Sequence, residues 1–241
     1  KDLPDKIEKT MYIEMNPEQK KLYEERRNYY YNMVHSQIKE NGLGKTQFFI
    51  LQALNELRQI TSCPESKSVG VTSSKREVLI NNILDAVENG HKVLVFTNYI
   101  NSIKNICDDL EKYGIKYLSM SGATKDRQLL VDKFQKDNKY KVFVMTLKTG
   151  GVGLNLTAAD TIFIYDPWWN KTVENQAIDR AYRLGQDRTV FSYKLILKDT
   201  IEEKILQLQE SKIKLLDSLI SEDSSSLKTL TEKDIEFILG E

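Results

Sequence analysis

The fold is decided by a short and almost continuously apolar stretch, Lys92-Val93-Leu94-Val95-Phe96. Such a run is typical of a parallel strand buried on both faces, because a strand with one solvated face alternates polar and apolar residues instead. Outward from this stretch, helical and strand patterns alternate. In chain order the predicted elements are helix 75–89, strand 92–96, helix 100–113, strand 115–119, helix 125–135, strand 141–145, strand 161–165, helix 171–184, strand 190–197 and helix 201–220. This order implies right-handed crossovers, so the sequence predicts an α/β fold with three layers and a parallel central sheet.

The first 74 residues have a different pattern. A short strand is predicted over 9–15, and Asn16-Pro17 is a typical helix start, with an N-cap side chain followed by proline. Two helices are predicted, one as far as residue 40 and one over 46–61, and Pro64 ends the second. Residues 69–74 are small and polar, which indicates a linker. We therefore predict three parts: 1–74, an N-terminal strand with a helical protrusion; 75–198, the α/β lobe; and 199–241, a C-terminal helix and tail.

Composition narrows the possible functions. Lysine plus arginine equals aspartate plus glutamate at 35 each, so binding to nucleic acid requires a local patch. The two cysteines, Cys63 and Cys107, have neither metal-ligand spacing nor a disulfide framework, which suits a reducing compartment. His35 and His91 lie far apart in the chain, and we expect both on the surface and no metal site. No apolar run approaches the roughly 20 residues of a membrane span, and no signal peptide is visible. The chain begins with Lys1, as expected for a piece of a longer protein.

A second informative stretch is Gln176-Ala177-Ile178-Asp179-Arg180-Ala181-Tyr182-Arg183-Leu184-Gly185-Gln186. On a helix, Gln176, Arg180 and Arg183 fall at i, i+4 and i+7, so one face carries an amide and two guanidinium groups. Gly185 is placed to end the helix in a left-handed conformation. Permanently charged, forked guanidinium groups suit phosphate oxygens, although surface arginines on a solvated helix explain the pattern equally well. The positions predicted to pack against the core are Ala177, Ala181 and Leu184.

In parallel α/β sheets, functional residues gather where the strands end. That rule selects four segments: 97–98, 121–122, 146–149 and 166–169. The segment Thr146-Leu147-Lys148-Thr149-Gly150-Gly151-Val152-Gly153-Leu154-Asn155 combines small hydroxyls, glycines and a lysine, so backbone amides can approach an anion. An ordinary tight connection is the alternative. A dinucleotide-binding fingerprint is excluded, because the loop is not G-x-G-x-x-G followed by a long helix.

Two tryptophans follow the next predicted strand, in Asp166-Pro167-Trp168-Trp169-Asn170. Adjacent tryptophans either brace a loop or stack on a base or sugar, and we favour bracing because buried tryptophans usually belong to the core. Asn170 is a suitable N-cap for the helix that follows.

One segment imitates a phosphate-binding P-loop. Gly42-Leu43-Gly44-Lys45-Thr46 has its Gly-Lys-Thr end, but Lys39 occupies the position of the first glycine. The preceding residues are helical in pattern, whereas a P-loop needs a strand before it. We therefore predict a turn between two helices.

The order of motifs from Lys92 to Leu195 resembles that of a known family. The chain is similar to the second RecA-like lobe of superfamily 2 helicases. Within this superfamily it resembles the SWI/SNF-type ATPases, which translocate on double-stranded DNA. Gln186, after Arg183-Leu184-Gly185, separates the chain from RNA-helicase relatives. The matching segments are 92–98, 121–124 with Arg127 and Phe134, 146–155, 157–160, 166–170, 173–176 and 176–186, and Leu57-Arg58-Gln59 with Cys63-Pro64 resembles the stretch that precedes this lobe.

The resemblance implies a role for each part of the site. In such enzymes ATP and Mg²⁺ are held mainly by a first lobe, which this chain lacks. Arg180 and Arg183 are then arginine fingers that reach the γ-phosphate, and Gln176 orients them or the attacking water. Gly153 and Asn155 line the nucleotide side. The residues that the resemblance assigns to DNA are Thr97, Asn98, Ser121, Thr146, Lys148, Thr149 and Trp169.

The function implied by the resemblance is the second motor lobe of an ATP-dependent DNA translocase of the chromatin-remodelling type, inactive on its own. The expected partners are the backbone of double-stranded DNA, the N-terminal RecA-like lobe of the same polypeptide and a DNA-bound protein substrate, with no membrane. The expected location is intracellular and DNA-associated: the cytoplasm or nucleoid of a prokaryote, or the nucleus of a eukaryote. Two alternatives stay open: a non-enzymatic scaffold that binds DNA or protein, and a lobe of an RNA helicase.

Overall fold

The computed structural model describes residues 3–150, 153–168, 171–211 and 231–240. The strands are β1 (Lys6–Ile13), β2 (Val93–Thr97), β3 (Tyr117–Met120), β4 (Val142–Thr146), β5 (Thr161–Ile164) and β6 (Val190–Leu197). The helices are α1 (Pro17–Asn41), α2 (Leu43–Ser62), α3 (Ser74–Glu88), α4 (Ile100–Lys112), α5 (Arg127–Lys136), α6 (Leu147–Gly150), α7 (Lys171–Ile178), α8 (Ile201–Ser211) and α9 (Glu232–Leu239). The chain divides into two compact units, Lys1–Ile13 with Lys75–Ile196, and Glu14–Ser74 with Leu197–Glu241. The three-part division expected from the sequence stays a prediction.

The first unit contains a six-stranded sheet in the order β1-β6-β5-β2-β4-β3. Neighbouring strands from β6 to β3 run parallel, and Val95 of β2 lies opposite both Val144 and Phe163. All five residues of β2 are buried, because helices cover both faces of the sheet at its centre. The predicted α/β fold with a parallel sheet is confirmed, and Lys92-Phe96 does form its central strand, shifted by one residue.

Apolar side chains of the strands and of the helices between them form a core on one face of this sheet. Strand residues contribute large side chains, and Phe134 from α5 stacks in a tilted arrangement against Phe143, with ring centroids 5.3 Å apart. Burying a side chain of this size contributes about 1.5–3 kcal/mol. The cluster includes Leu94, Phe96, Phe143, Met145, Ile162 and Ile164 from strands, Val131 and Phe134 from α5, and Ala177 and Ile178 from α7.

Lys92, which precedes the central strand, is buried although its side chain ends in an amine. That amine donates to the carbonyl oxygens of Phe134, at 2.5 Å, and Asp137, at 3.1 Å, where α5 ends. Burial, with the nearby positive charge of Lys141, lowers the pKa of Lys92. The lysine thus joins the start of the central strand to the end of a helix.

The second unit contains the α1–α2 hairpin and the two C-terminal helices. The Asn16 side chain accepts from the amide of Gln19 at 2.8 Å and Pro17 is the first helical residue, so the predicted helix start is confirmed. The P-loop-like segment lies where α1 meets α2, as predicted, but the turn is Gly42 alone, and Leu43 to Thr46 already belong to α2. There Gly42 has φ of +75°, and the Thr46 hydroxyl donates to the Gly42 carbonyl at 2.9 Å.

The C-terminal helix predicted over 201–220 is described only as far as Ser211, and its remaining residues lie outside the described ranges. The last helix, α9, begins with a capping box in which Thr231 and Asp234 each accept from the backbone amide of the other. Within the part of the chain that the structure describes, no helix has the length and apolar character needed to cross a bilayer.

Cys107 of α4 provides a test of packing in the first unit. Burial raises the pKa of its thiol to about 12, whereas an unfolded chain ionises this group near pH ~8.5. The thiol's contribution to the free energy of unfolding is therefore fully present below the unfolded pKa and is lost as pH rises toward the folded pKa. Between about pH 8 and pH 10.5 we expect the free energy of unfolding of wild type to fall on the order of 1–2 kcal/mol more than that of Cys107→Ala, measured by urea denaturation. Near neutral pH the free energy of unfolding should depend on pH equally in the two proteins. The same pH dependence in both proteins up to about pH 10.5 would contradict the prediction.

Candidate functional site

The strand ends selected from the sequence do meet at one edge of the sheet. Thr97, the last residue of β2, lies opposite Thr146, the last residue of β4. Met120 at the end of β3 lies opposite Met145, and Ile164 at the end of β5 lies opposite Phe96. Parallel strands in register therefore bring the segments that follow them to a common edge, as the rule for α/β sheets requires.

A buried carboxylate joins three segments at this edge. Asp166 lies just after β5, and its side chain accepts from the Thr97 hydroxyl and, at 2.9 Å, from the Asn98 amide. Its other carboxylate oxygen lies 3.3 Å from the Lys75 amine, and both side chains of this pair are almost fully buried, with exposed fractions of 0% and 3%. The Asn98 side chain donates to the Asp166 carbonyl at 3.2 Å. Asn98 is thus held by two hydrogen bonds to one residue.

Sequence reasoning missed Lys75. The lysine lies at the start of α3, four and eight residues before Leu79 and Ile83, which are both fully buried. This spacing places Lys75 on the apolar face of the helix, which was an available signal. Its amine also lies 4.8 Å from the centre of the Tyr165 ring.

The glycine-rich segment begins with a helical turn, which the sequence did not predict. Residues 147–150 form α6, one helical turn, because the Thr146 hydroxyl accepts from the Thr149 amide at 3.3 Å and bonds the Thr149 hydroxyl at 2.6 Å. Thr146 is half-buried and Thr149 is buried, whereas Lys148 is exposed. Farther along, Gly153 has φ of +43°, and both it and Asn155 are exposed.

Ser121 lies in a tight turn after β3. Its amide donates to the Thr124 hydroxyl at 3.0 Å, and the Thr124 amide donates back to the Ser121 carbonyl at 3.1 Å. Arg127 supports the turn from α5 by donating to the carbonyls of Thr124, at 3.2 Å, and Gly122, at 3.0 Å. Ser121 is half-buried, so part of it is accessible.

The arginine segment requires a correction. The predicted helix 171–184 ends at Ile178, so Gln176, Arg180 and Arg183 do not share one helical face. After Ile178 the backbone tightens: the Arg180 amide donates to the Ala177 carbonyl, three residues back, at 3.2 Å. The Arg180 carbonyl accepts from the Leu156 amide at 2.9 Å instead of from the next helical turn. A tertiary hydrogen bond therefore replaces helical continuation.

The packing predictions for this segment are partly confirmed. Ala177 and Ala181 are fully buried, as expected, but the prediction for Leu184 was wrong, since 79% of its surface is exposed. Leu184 projects outward because the helix that would have placed it on the core side has already ended. Gly185 has the predicted positive φ, +104°, but the prediction that it ends the helix was wrong, because α7 ends at Ile178. The polar groups are accessible: Gln176 and Arg183 are exposed and Arg180 is half-buried.

Glu174 attaches α7 to the loop before it. One carboxylate oxygen accepts from the Trp168 amide at 2.7 Å, and the other lies 2.5 Å from the Lys194 amine of β6. Burial raises the pKa of Glu174, and the neighbouring lysine only partly opposes this. Trp168 is half-buried and packs against the core, so the bracing role is confirmed for this tryptophan. Trp169 and Asn170 lie outside the described residues.

The described ranges hold no group of three or more His, Cys, Asp or Glu side chains that could bind a metal ion. His91 is partly exposed, and its Nδ1 lies 2.9 Å from the buried carboxylate of Asp160. Arg188 donates to the same carboxylate oxygen at 3.2 Å. This cluster precedes β5 and so lies at the opposite end of that strand from Asp166.

Comparisons with known proteins agree with the fold and with the family that the motifs resemble. A model of the helicase conserved C-terminal domain matches residues 74–185. An uncharacterized ATP-dependent helicase of Mycoplasma pneumoniae is 38% identical over 238 residues, which are 98% of this chain and 23% of that protein. The C-terminal domain of the SWI2/SNF2 ATPase of Sulfolobus solfataricus is 30% identical with a TM-score of 0.77, covering 97% of this chain and 98% of that one. The ATPase core in complex with double-stranded DNA is 32% identical with a TM-score of 0.80, covering 98% of this chain and 50% of that one.

The chain spans only part of its longer relatives. It covers 23% to 25% of the length of the three bacterial helicases that it matches over 92% or more of its own length.

The buried pair at the strand edge predicts a large and specific effect on stability. Lys75→Met leaves the Asp166 carboxylate buried without its cation, so we expect the free energy of unfolding to fall by about 3–5 kcal/mol. In the double variant with Asp166→Asn the loss should be smaller than the sum of the single losses. Urea denaturation of the four proteins measures this coupling.

The matched control is Lys104→Met on α4. Lys104 pairs with Asp108 at 2.6 Å on the surface, and its side chain is 72% exposed, so its removal should change the free energy of unfolding by at most about 1 kcal/mol. Similar losses for Lys75→Met and Lys104→Met, or additive losses in the double variant, would show that the buried pair has no special role.

Proposed function

Since this chain belongs to the SWI2/SNF2-type ATPases and corresponds to their C-terminal lobe, as its motifs predicted, we propose that it is the second motor lobe of an ATP-dependent double-stranded DNA translocase. The observation that carries the proposal is the hydrogen bond from Leu156 to the Arg180 carbonyl. Through this bond residues 179–185, which we call the arginine turn, lie beside the loop of Gly153 and Asn155. The two segments expected to face a nucleotide are therefore close together.

The accessible groups of these two segments suit a phosphate. Arg183 is exposed and Arg180 half-buried, so both guanidinium groups can reach a ligand held by another lobe. When bound there, ATP with Mg²⁺ supplies the phosphoryl group that is transferred. Arg180 and Arg183 then stabilise negative charge on that group, a contribution of roughly 10³–10⁵ in rate for arginine fingers. Gln176, which is exposed, orients the arginines or the attacking water, and Asn155 lines the nucleotide side.

The strand edge is the proposed contact for DNA. Lys148 is exposed, and Asn98, Ser121 and Thr146 are half-buried, so all four can reach backbone phosphates. Such contacts do not depend on base sequence, as translocation requires. Support comes from the solved relative, which is an ATPase core in complex with double-stranded DNA. Because the net charge of the chain is zero, we expect the isolated lobe to bind DNA weakly.

Thr97 and Thr149 have a supporting role in this proposal. Both are buried, and their hydroxyls bond Asp166 and Thr146 respectively. They therefore position Asn98 and the α6 turn and do not themselves touch a phosphate. The proposed contact by Trp169 lies outside the described residues.

The partner that completes the nucleotide site is a first RecA-like lobe of the same polypeptide. The lengths of the helicase relatives support this, because each extends far beyond the matched region. The whole protein would then act on DNA inside the cell, with a DNA-bound protein as its substrate.

Arg183→Ala tests the proposal in the full-length protein. We expect DNA-stimulated ATP turnover to fall by roughly 10³-fold or more, because charge that develops during phosphoryl transfer loses its partner. ATP binding should be nearly unchanged, since the first lobe holds most of the nucleotide. Steady-state hydrolysis and equilibrium binding of a fluorescent ATP analogue measure the two quantities.

The matched control is Arg188→Ala, which removes a guanidinium group that is 60% exposed and paired with Asp160. It should leave turnover near the wild-type value. The isolated 241-residue chain serves as a blank and should not hydrolyse ATP. Turnover that survives in Arg183→Ala, or substantial hydrolysis by the isolated chain, would disprove the shared site.

Lys148→Gln tests the DNA contact. Removing one phosphate-binding cation should raise the duplex concentration needed for half-maximal stimulation a few-fold on every sequence, and should reduce the slope of log affinity against log salt by about 1. Lys104→Gln, an exposed lysine on α4, is the control and should change neither quantity. A sequence-dependent loss, an unchanged salt slope, or stronger stimulation by duplex RNA than by DNA would refute the assignment.

A further inference from the structure

Gln186 is a buried residue, and both the Nε2 and the Oε1 of its side chain are hydrogen-bonded. Only 7% of its surface is exposed, although the residues before it, from Arg183 to Gly185, are all exposed. Its Nε2 donates to the carbonyls of Thr157 at 3.2 Å, Ala159 at 2.8 Å and Ala181 at 3.1 Å. The residue therefore faces inward, away from any ligand that binds Arg183.

The carbonyl oxygen of the same side-chain amide is also hydrogen-bonded. Oε1 accepts from the amides of Asp187 at 3.1 Å and Arg188 at 3.0 Å. The Gln186 backbone amide donates to the Arg183 carbonyl at 2.9 Å. One carboxamide thus bonds the arginine turn through the Ala181 carbonyl and the backbone just after it through the Asp187 and Arg188 amides.

These bonds join the arginine turn to the segment that follows Asn155. The Ala181 carbonyl belongs to the turn, whereas the Thr157 and Ala159 carbonyls belong to the segment that leads into β5. The Leu156 amide adds a direct backbone bond to Arg180. The same segment has therefore two independent connections to the turn that carries the arginines.

A second glutamine, Gln135, also forms hydrogen bonds with this segment. Gln135 of α5 donates to the Thr157 hydroxyl at 3.1 Å and accepts from the Ala158 amide at 2.8 Å. Gln135 has no hydrogen bond to the arginine turn among those described. Both glutamines thus bond residues 157–159, but of the two side chains only that of Gln186 also bonds the arginine turn, at the Ala181 carbonyl.

We propose that Gln186 is a positioning residue that fixes the arginine turn relative to the loop of Asn155, so that both meet a nucleotide in one geometry. The inference rests on the proposed function. A carboxamide is required because the pocket presents backbone acceptors on one side and backbone donors on the other. An ionised carboxylate of the same shape cannot donate, and it would face three carbonyl oxygens.

Gln186→Glu in the full-length protein tests the inference, beside Gln186→Met, which has similar length and no charge. We expect kcat for DNA-stimulated hydrolysis to fall by roughly 10²-fold, since a displacement of about 1 Å in a catalytic group has an effect of this size. The KM for ATP should change little, because the first lobe holds most of the nucleotide. Hydrogen exchange followed by mass spectrometry should show faster exchange in peptides spanning 155–160 and 180–190.

Gln135→Met is the matched control for Gln186→Met, because it removes both hydrogen bonds from α5 to the same segment without touching the arginine turn. It should accelerate exchange over 155–160 but leave 180–190 and kcat near wild type. Equal losses of kcat in Gln135→Met and Gln186→Met, wild-type kcat in both Gln186 variants, or failure of both to fold would overturn the inference, since Gln186 would then serve only the fold. Arg183→Ala separates the two proposals: if it loses turnover while the Gln186 variants keep it, only the positioning role fails.

Discussion

The carboxyl edge of the sheet depends on one buried carboxylate. Asp166 has lost its hydration, and a buried charge is tolerated only when a counter-charge and hydrogen bonds replace the water. Lys75 provides the charge, while Thr97 and the Asn98 amide provide the hydrogen bonds. Because these groups come from the start of α3 and the end of β2, while Asp166 follows β5, satisfying the carboxylate joins all three segments. The position of Asn98 consequently depends on Asp166.

A second constraint acts on the arginines. The backbone that carries Arg180 and Arg183 departs from a regular helix. That backbone leaves the helix after Ile178, and tertiary hydrogen bonds from Leu156 and Gln186 then shape it. Glu174 restrains the other end of α7 through Trp168. The arginine turn is thus supported at both ends by side chains that do not face solvent.

Much of this arrangement followed from local patterns. The apolar run of the central strand and the Asn16-Pro17 helix start are properties of neighbouring residues, and both were confirmed. The strand-end rule also selected Thr97 and Thr146, which lie opposite each other in the sheet. The error at Leu184 had a specific cause. Helical periodicity continues in the sequence after Ile178, but the Arg180 carbonyl is taken by a distant amide, and periodicity contains no information about that competition.

The sequence by itself determined the order of helices and strands, the parallel sheet and the edge at which functional residues gather, because these depend on hydrophobic periodicity and chain handedness. Its motifs also identified the family. Only the tertiary structure decided that Lys75 is the partner of Asp166, 91 residues away, and that Gln186 faces inward to hold the arginine turn. The physical reason is that a polar side chain acquires its role from the buried donors and acceptors around it. In this protein those groups come from segments far apart in the chain.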